Sequence, residues 1–119
     1  MDLNGALDLL EAKWRDYLEK RGHRVCRVSY PFAGLTSRNH RKQRYRWLLV
    51  PAERSQLKLD ESYRAGIQYH LGRAKARQET TYLVAGFLRE PRRIVVIPAN
   101  TALRARCIRS NRGGIAWDD

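Results

Sequence analysis

The stretch LLEAKWRDYLEKRGHRVCRVS, residues 9–29, changes its pattern of apolar side chains at Gly22. Before Gly22 they recur every three or four residues, which is the spacing of one face of an α-helix. Beyond Gly22, residues 24–30 alternate as a half-buried strand does. The stretch therefore predicts a helix followed directly by a strand. The helical stripe reaches back towards the start of the chain and comprises Leu3, Leu7, Leu10, Trp14 and Tyr17, flanked by Ala6 and Leu18.

A second strand is predicted by RYRWLLVP, residues 44–51, in which Tyr45, Trp47 and Leu49 share one side. Pro51 has no N–H to donate, so we expect it to end this strand or to lie at a sheet edge. Between the two strands, residues 33–43 read AGLTSRNHRKQ and have no periodicity. They predict a polar, mobile loop.

A second helix is predicted over residues 60–78, with Asp60 as its N-cap and His70 at the boundary of its buried side. Glycines at positions 66 and 72 suggest close packing of this helix on a sheet. Two nearly continuous apolar runs, TTYLVAGFL at 80–88 and RIVVIPA at 93–99, predict the central hairpin of that sheet.

The end of the chain predicts smaller elements. Asn100 is expected to cap a short helix that reaches about Ile108, and the tail to form a last strand that carries Ile115 and Trp117. The order helix, strand, strand, helix, strand, strand, short helix predicts an α/β (α+β) fold. We expect a single mixed β-sheet flanked by helices, in one domain over residues 1–119.

The charge is strongly basic and unevenly distributed. Twenty-four Lys and Arg residues against 12 Asp and Glu give a net charge of +12, and 19 of the basic residues are Arg. Residues 34–58 carry seven basic groups and one acidic group, and residues 80–119 carry seven and three, so these two segments hold +10 of the +12. Arg binds phosphate oxygens bidentately. We therefore expect a nucleic-acid partner and no membrane partner, and composition does not separate DNA from RNA.

Segment 38–46, RNHRKQRYR, is the main candidate for nucleic-acid contact, because it combines cations with amides and an aromatic ring. A smaller basic cluster lies near the end of the chain. Together the candidate binding residues are Arg38, His40, Arg41, Lys42, Arg44, Tyr45, Arg46, Arg104, Arg106, Arg109 and Arg112.

Cysteine and histidine give no sign of a metal site. Cys26 and Cys107 lie far apart and are expected to be buried, unpaired thiols, and the three histidines lack the spacing of metal ligands. The acidic, amphipathic start of the chain differs from a signal peptide. These features predict a cytoplasmic protein with no cofactor.

The helix ending in Lys-Arg-Gly and the strand directly after it resemble the start of PD-(D/E)XK nuclease-like domains, the superfamily that contains archaeal Holliday-junction resolvases and restriction-type enzymes. The later order is similar as well: a strand ending near Val50, a helix over 60–78, and the two apolar runs. The resemblance implies a restriction-endonuclease-like fold and a DNA partner.

Members of that superfamily hold Mg²⁺ with an Asp on one strand and a Glu or Asp on the next, and a Lys two positions later helps to orient the attacking water. Here residues 30–46 contain no carboxylate. The acid nearest to the second position is Glu53, and Ser55 stands where the Lys is needed. Glu11 could match a helix-borne acid of some members. The resemblance therefore implies a degenerate domain that binds nucleic acid without catalysis.

Two alternatives stay open. The first is a Mg²⁺-dependent nuclease that uses Glu11, Glu53 and Asp60. The second is a protein–protein assembly subunit, a homo-oligomer for example, in which the run 80–88 or the tail with Trp117 pairs with another chain.

Overall fold

The computed structural model describes residues 2–28, 32–89, 92–112 and 114–116, and the side chain of Arg112 lies outside this description. The described elements are α1 (Leu3–Glu19), β1 (Arg24–Val28), β2 (Gly34–Arg38), β3 (Arg44–Ala52), β4 (Gln56–Lys58), α2 (Glu61–Arg77), β5 (Glu79–Phe87), β6 (Arg93–Pro98), α3 (Ala99–Arg104), β7 (Cys107–Arg109), a 3₁₀ turn (Ser110–Arg112) and β8 (Ile115–Ala116).

Six strands form one mixed sheet in the order β1-β2-β3-β5-β6-β8, and β4 pairs with β7 beside it. β3 and β5 run parallel, with Trp47 opposite Tyr82, while the other described pairs are antiparallel. A parallel pair needs a crossover connection, and α2 provides it. The predicted fold class, a mixed sheet flanked by helices, is confirmed.

Helix α1 covers one face of the sheet, which we call the α1 face. Its buried residues are Ala6, Leu10, Trp14 and Leu18, and the last three pack with Leu35, Trp47, Leu49 and Val84. Leu3, expected in the buried stripe, is 45% exposed. The buried side of α1 is therefore rotated from the predicted stripe towards Ala6 and Leu18, the two residues predicted to flank it. Asp2 caps the helix by accepting the N–H of Gly5 at 2.7 Å.

Helix α2 covers the opposite face, the α2 face, where Ile67 joins Leu48, Val50 and Leu83 in a second apolar cluster. Gly66 allows close packing, because a Cβ there would lie 2.6 Å from the ring of Phe32, but Phe32 precedes β2 and is not part of the predicted sheet contact. Gly72 has no neighbour within 4 Å of such a Cβ, so the expectation fails at that position. His70, expected at the boundary, is fully buried and lies near Phe32, with 6.1 Å between ring centroids.

A buried ion pair joins two strands of the sheet, and a hydrogen bond to one of its members connects α2 to them. Arg46 on β3 donates from Nε to Glu79 Oε1 on β5 at 2.8 Å, and the two side chains are 6% and 4% exposed. Arg46 Nη1 also lies 2.8 Å from His70 Nδ1 on α2. Because a guanidinium can only donate, His70 must accept at Nδ1 and carry its proton on Nε2. Three elements therefore converge on one cation.

The predicted mobile loop over residues 33–43 is wrong, since β2 occupies its first half. β2 pairs with β1 on one side and β3 on the other, and Leu35 is fully buried. Pairing on both sides satisfies the backbone of this polar segment. Pro51 lies within β3 and does not end it. The N–H of Leu49 donates to the carbonyl oxygen of Ala33. The nitrogen of Pro51, two residues further on, therefore faces the same side of β3 but lies beyond the first residue of β2.

The predicted helix from Asn100 to Ile108 is too long. α3 ends at Arg104, its cap position is Pro98, and Ile108 lies on β7 opposite Leu57. Pairing with β4 favours the extended backbone there. The last predicted strand is present as β8 with Ile115, whereas Trp117 lies outside the described residues.

The two thiols are unpaired, but the expectation that both are buried is wrong. Cys26 is exposed and Cys107 is half-buried. Cys26 lies on β1, which pairs in the sheet with β2. Among the described residues, no helix combines the length and apolar character that crossing a bilayer requires.

The ion pair generates a stability prediction. Glu79→Gln leaves the Arg46 cation buried without a counter-charge, so we expect the free energy of unfolding to fall by about 3 kcal/mol. Urea denaturation measures it. Glu53→Gln makes the same chemical change at an exposed position and should alter stability by less than about 0.5 kcal/mol. Equal denaturation midpoints for the two variants would contradict the structural role of the pair.

Candidate nucleic-acid interface

The turn between β2 and β3 is ordered by the side chain of Asn39. Its Oδ1 accepts the N–H groups of Arg41 and Gln43 at 3.0 and 2.9 Å, and its Nδ2 donates to Gln43 Oε1 at 2.7 Å. Lys42 takes up the left-handed backbone with φ 64°. The two amides of the basic segment, Asn39 and Gln43, therefore bond to each other, and Asn39 also bonds to the backbone of the turn.

The predicted cations of this segment gather at one end of the sheet. Arg38 and Arg44 are direct partners across β2 and β3, and both are exposed. His40, Arg41 and Lys42 are exposed on the turn between them. These five of the seven candidates in segment 38–46 have the exposure that phosphate contact requires.

Arg46 and Tyr45 occupy other environments. Arg46 is 5% exposed, and its guanidinium is engaged by Glu79 and His70. The expected phosphate contact by Arg46 is therefore corrected to a structural role, because a buried cation must first satisfy its own charge. Tyr45 points to the α1 face, where its ring is stacked with that of Trp47 at 5.5 Å between centroids.

A cleft on the α2 face brings distant arginines together. It consists of two hollows of about 320 and 300 Å³ between strands β1–β3 and one side of α2, which share Cys26, Thr36 and Arg77. On α2, the side chains at intervals of four, Tyr69, Arg73 and Arg77, line it. We call this surface the arginine cleft, and its arginines are Arg24, Arg27, Arg38, Arg44, Arg46, Arg73 and Arg77.

Negative charge in the arginine cleft is already neutralised. The one carboxylate among its lining residues, Glu79, bonds Arg46 at 2.8 Å and lies 3.4 Å from Arg77. At the β1 edge, Arg27 pairs with Glu11 at 2.9 Å. Arg24, Arg38 and Arg73 form no ion pair or side-chain hydrogen bond with the described residues. Their charges remain available to an anionic ligand.

Sequence reasoning missed the contributions of Arg24, Arg27, Arg73 and Arg77 to this surface. The spacing of Tyr69, Arg73 and Arg77 was a signal, because residues four apart share one side of a helix. Their convergence with β2 and β3 depends on tertiary packing. A third hollow, of about 350 Å³, links the arginine cleft to the turn through Arg24, Arg38, His40 and Lys42.

The second predicted cluster lies elsewhere. Arg104 ends α3, Arg106 follows it, and Arg109 lies on β7; all three are exposed, and none lines the arginine cleft. Arg112 belongs to the 3₁₀ turn, but its side chain is outside the described residues. The structure therefore separates the two predicted basic clusters.

The candidate metal ligands do not converge. Glu11 is bonded to Arg27, Glu53 is exposed beyond the end of β3, and Asp60 caps α2 by accepting the N–H of Tyr63 at 3.0 Å. In the part of the chain that the structure describes, no three His, Cys, Asp or Glu side chains form a group that could hold a metal ion. On the α2 face, the pairs that β2 and β3 bring together are Gly34 with Leu48, Thr36 with Arg46 and Arg38 with Arg44. None of them is a carboxylate, so they do not fit Mg²⁺, which prefers carboxylate and other oxygen ligands.

Comparison with known proteins agrees with the fold. No family model matches the sequence, and no curated protein matches it. A solved structure does: Hjc, a Holliday junction resolvase from the archaeal hyperthermophile Archaeoglobus fulgidus, with a TM-score of 0.55 and 17% sequence identity. The match covers 80% of this chain and 74% of that chain. The chain is similar to this resolvase in fold. The architecture implied by the opening helix and strand is thereby confirmed.

Two histidines beside the candidate surfaces have altered pKa values. Burial, and after it the Arg46 guanidinium, lowers the pKa of His70 from 6.5 to about 4, while Glu79 acts in the opposite direction. Partial burial also lowers the pKa of His23, with smaller contributions from His40 and Arg21. A neutral His70 is what the hydrogen bond from Arg46 requires.

The pKa of His70 generates a prediction on stability and pH. The unfolded chain binds a proton at this histidine below pH 6.5 and the folded chain only near pH 4, so stability falls as the pH is lowered from 6.5 to 4. We expect His70 to contribute about 3 kcal/mol to this loss. His70→Gln should reduce the loss measured by urea denaturation at a series of pH values.

His40→Gln provides the matched control, because His40 is exposed on the turn. It should retain the loss of stability that His70 causes between pH 6.5 and 4. If His70→Gln and the original protein lost the same stability between pH 6.5 and 4, the buried neutral histidine would be excluded as a cause.

Proposed function

We propose that this protein binds DNA through its phosphates, with the arginine cleft as the main contact surface, and that it has no catalytic activity of its own. The observation that carries the proposal is the convergence of six arginines, besides the buried Arg46, on two adjoining hollows whose one lining carboxylate, Glu79, is already paired with Arg46. Cations in that arrangement displace the counterions of a nucleic acid.

The origin of these arginines supports binding over simple solubility. They come from β1, β2, β3 and α2, four elements between residues 24 and 77. A solubilising surface would intersperse both charge signs. Arg also suits phosphate better than Lys, since its planar fork can form two parallel hydrogen bonds to one phosphate group. The exposed turn with His40, Arg41 and Lys42 extends the surface.

DNA is proposed ahead of RNA because of the similarity in fold to a Holliday junction resolvase. Duplex contacts through phosphates would fix the protein on DNA without reading its sequence. The residues argue against cleavage: β2 and β3 carry no carboxylate, and Glu11, Glu53 and Asp60 lie at separate positions in the fold.

The test is a salt series with a labelled DNA duplex and the triple variant Arg24→Ala, Arg38→Ala, Arg73→Ala. These three side chains support no other described group, so the fold should be retained. We expect weaker binding and a slope of log affinity against log salt that is less steep by about 2 to 3, because each lost phosphate contact removes about 0.9. The effect should be the same for unrelated sequences.

The control is the triple variant Arg104→Ala, Arg106→Ala, Arg109→Ala, which removes the same charge outside the arginine cleft. It should bind with a slope close to that of the original protein. An equal loss in both triple variants would mean that binding depends on net charge alone, and would reject the arginine cleft. Degradation of the DNA on addition of Mg²⁺, abolished by Glu53→Ala, would establish the nuclease alternative in its place.

A further inference from the structure

A cavity on the α1 face of the sheet is lined by aromatic rings. It has a volume of about 520 Å³ and lies between the second half of α1 and strands β3, β5, β6 and β8. Volumes between roughly 300 and 1,000 Å³ are typical of sites for small molecules and cofactors. The rings that line it belong to Trp14, Tyr17, Tyr45, Trp47 and Tyr82.

These rings form a row rather than an isolated pair. Across the strands, Trp47 is stacked with Tyr45 at 5.5 Å and with Tyr82 at 5.0 Å between centroids. On α1, Trp14 is stacked with Tyr17 at 4.6 Å and meets Trp47 edge-on at 5.4 Å. Both tryptophans are buried, whereas the three tyrosines are half-buried and keep accessible surface. A planar ligand would find further rings to stack on here.

A guanidinium and an imidazole accompany the rings. The guanidinium of Arg21 lies 3.4 Å from the centroid of the Tyr17 ring, and the His23 ring lies 5.5 Å from that of Tyr45. Guanidinium planes and aromatic rings are the two kinds of surface on which proteins stack unpaired bases.

The aromatic cavity and the arginine cleft lie on opposite faces of the sheet but meet at the same end. His23 lines the cavity, and the next residue, Arg24, lines both the cleft and the hollow beside the turn. On β3, Tyr45 of the cavity lies between Arg44 and Arg46 of the cleft. A nucleic-acid strand that leaves the cleft over this end therefore passes directly beside the rings.

We propose that the aromatic cavity binds an unpaired nucleobase of the same DNA whose phosphates lie in the arginine cleft. The inference rests on the proposed function and refines its ligand to DNA that includes a single-stranded segment. A base within a duplex is excluded because its two faces are covered by its neighbours. Stacking is tolerant of sequence, since every base has an aromatic face.

The test compares two single-stranded ligands with equal phosphate charge: a short oligothymidylate and a chain of abasic nucleotides of the same length. We expect the original protein to bind the base-bearing strand about tenfold more tightly at fixed salt, the effect of stacking one base. Tyr45→Ala should reduce the ratio to near one, and Tyr45→Phe, which keeps the ring, should preserve it. Quenching of tryptophan emission by the base-bearing strand alone is a second readout that needs no variant.

The arginine triple variant separates the two proposals. It should weaken both ligands and leave their ratio unchanged. Salt-dependent binding with a ratio of one in the original protein, and no difference in quenching, would overturn the base site and leave the arginine cleft intact. Failure to bind either single-stranded ligand would overturn the base site, while the salt series with the DNA duplex decides on the arginine cleft separately. A stable dimer in light scattering that Tyr45→Ala dissociates, with the ratio at one, would assign the cavity to a second copy of the chain instead.

Discussion

The arrangement of the molecule depends on the ion pair and the hydrogen bonds of the Arg46 guanidinium, which is buried under helix α2. A buried cation is tolerated only with a counter-charge and full hydrogen bonding, and here Glu79 provides the charge and His70 an additional acceptor. These partners belong to β3, β5 and α2, so the requirement fixes the helix against the parallel strands. One side of the same helix then presents Arg73 and Arg77 to β1, β2 and β3. The arginine cleft is thus a consequence of satisfying one charge in the interior.

The two-residue period of β3 separates two kinds of surface. Arg44 and Arg46 point to the α2 face, whereas Tyr45 and Trp47 point to the α1 face. The sheet is one layer thick, and Tyr17, Tyr45 and Tyr82 beside α1 are only half-buried. Cationic and aromatic surfaces therefore become neighbours around the end of the sheet that carries the β2–β3 turn. A nucleic-acid strand likewise carries anionic phosphates next to aromatic bases.

How much of this could be predicted from the sequence depends on how local each cause is. Helices α1 and α2 and strands β3, β5 and β6 were predictable, because the period of their apolar residues reflects the face that they bury. β2 was not, since its few apolar residues form no pattern and its pairing with β1 and β3 is decided by the rest of the fold. Within the basic segment, Arg46 looks like its neighbours. Its burial follows from residues 24 and 33 positions away, so phosphate contact was assigned to a cation that the interior already holds.

The same packing opposes a metal site of the kind that the nuclease superfamily carries on neighbouring strands. On the α2 face, Gly34 of β2 lies opposite Leu48, and Leu48 and Val50 pack with Ile67 and Phe32. A carboxylate in this cluster would be buried among apolar groups and would require a partner. At Gly34 even a Cβ would lie 2.7 Å from the carbonyl oxygen of Trp47. Oxygen ligands could therefore be introduced only together with a rearrangement of the strand pair and of the cluster beneath α2. The phosphate binding proposed for the arginine cleft requires no such change, because the exposed cations of the cleft extend from the surface of the core.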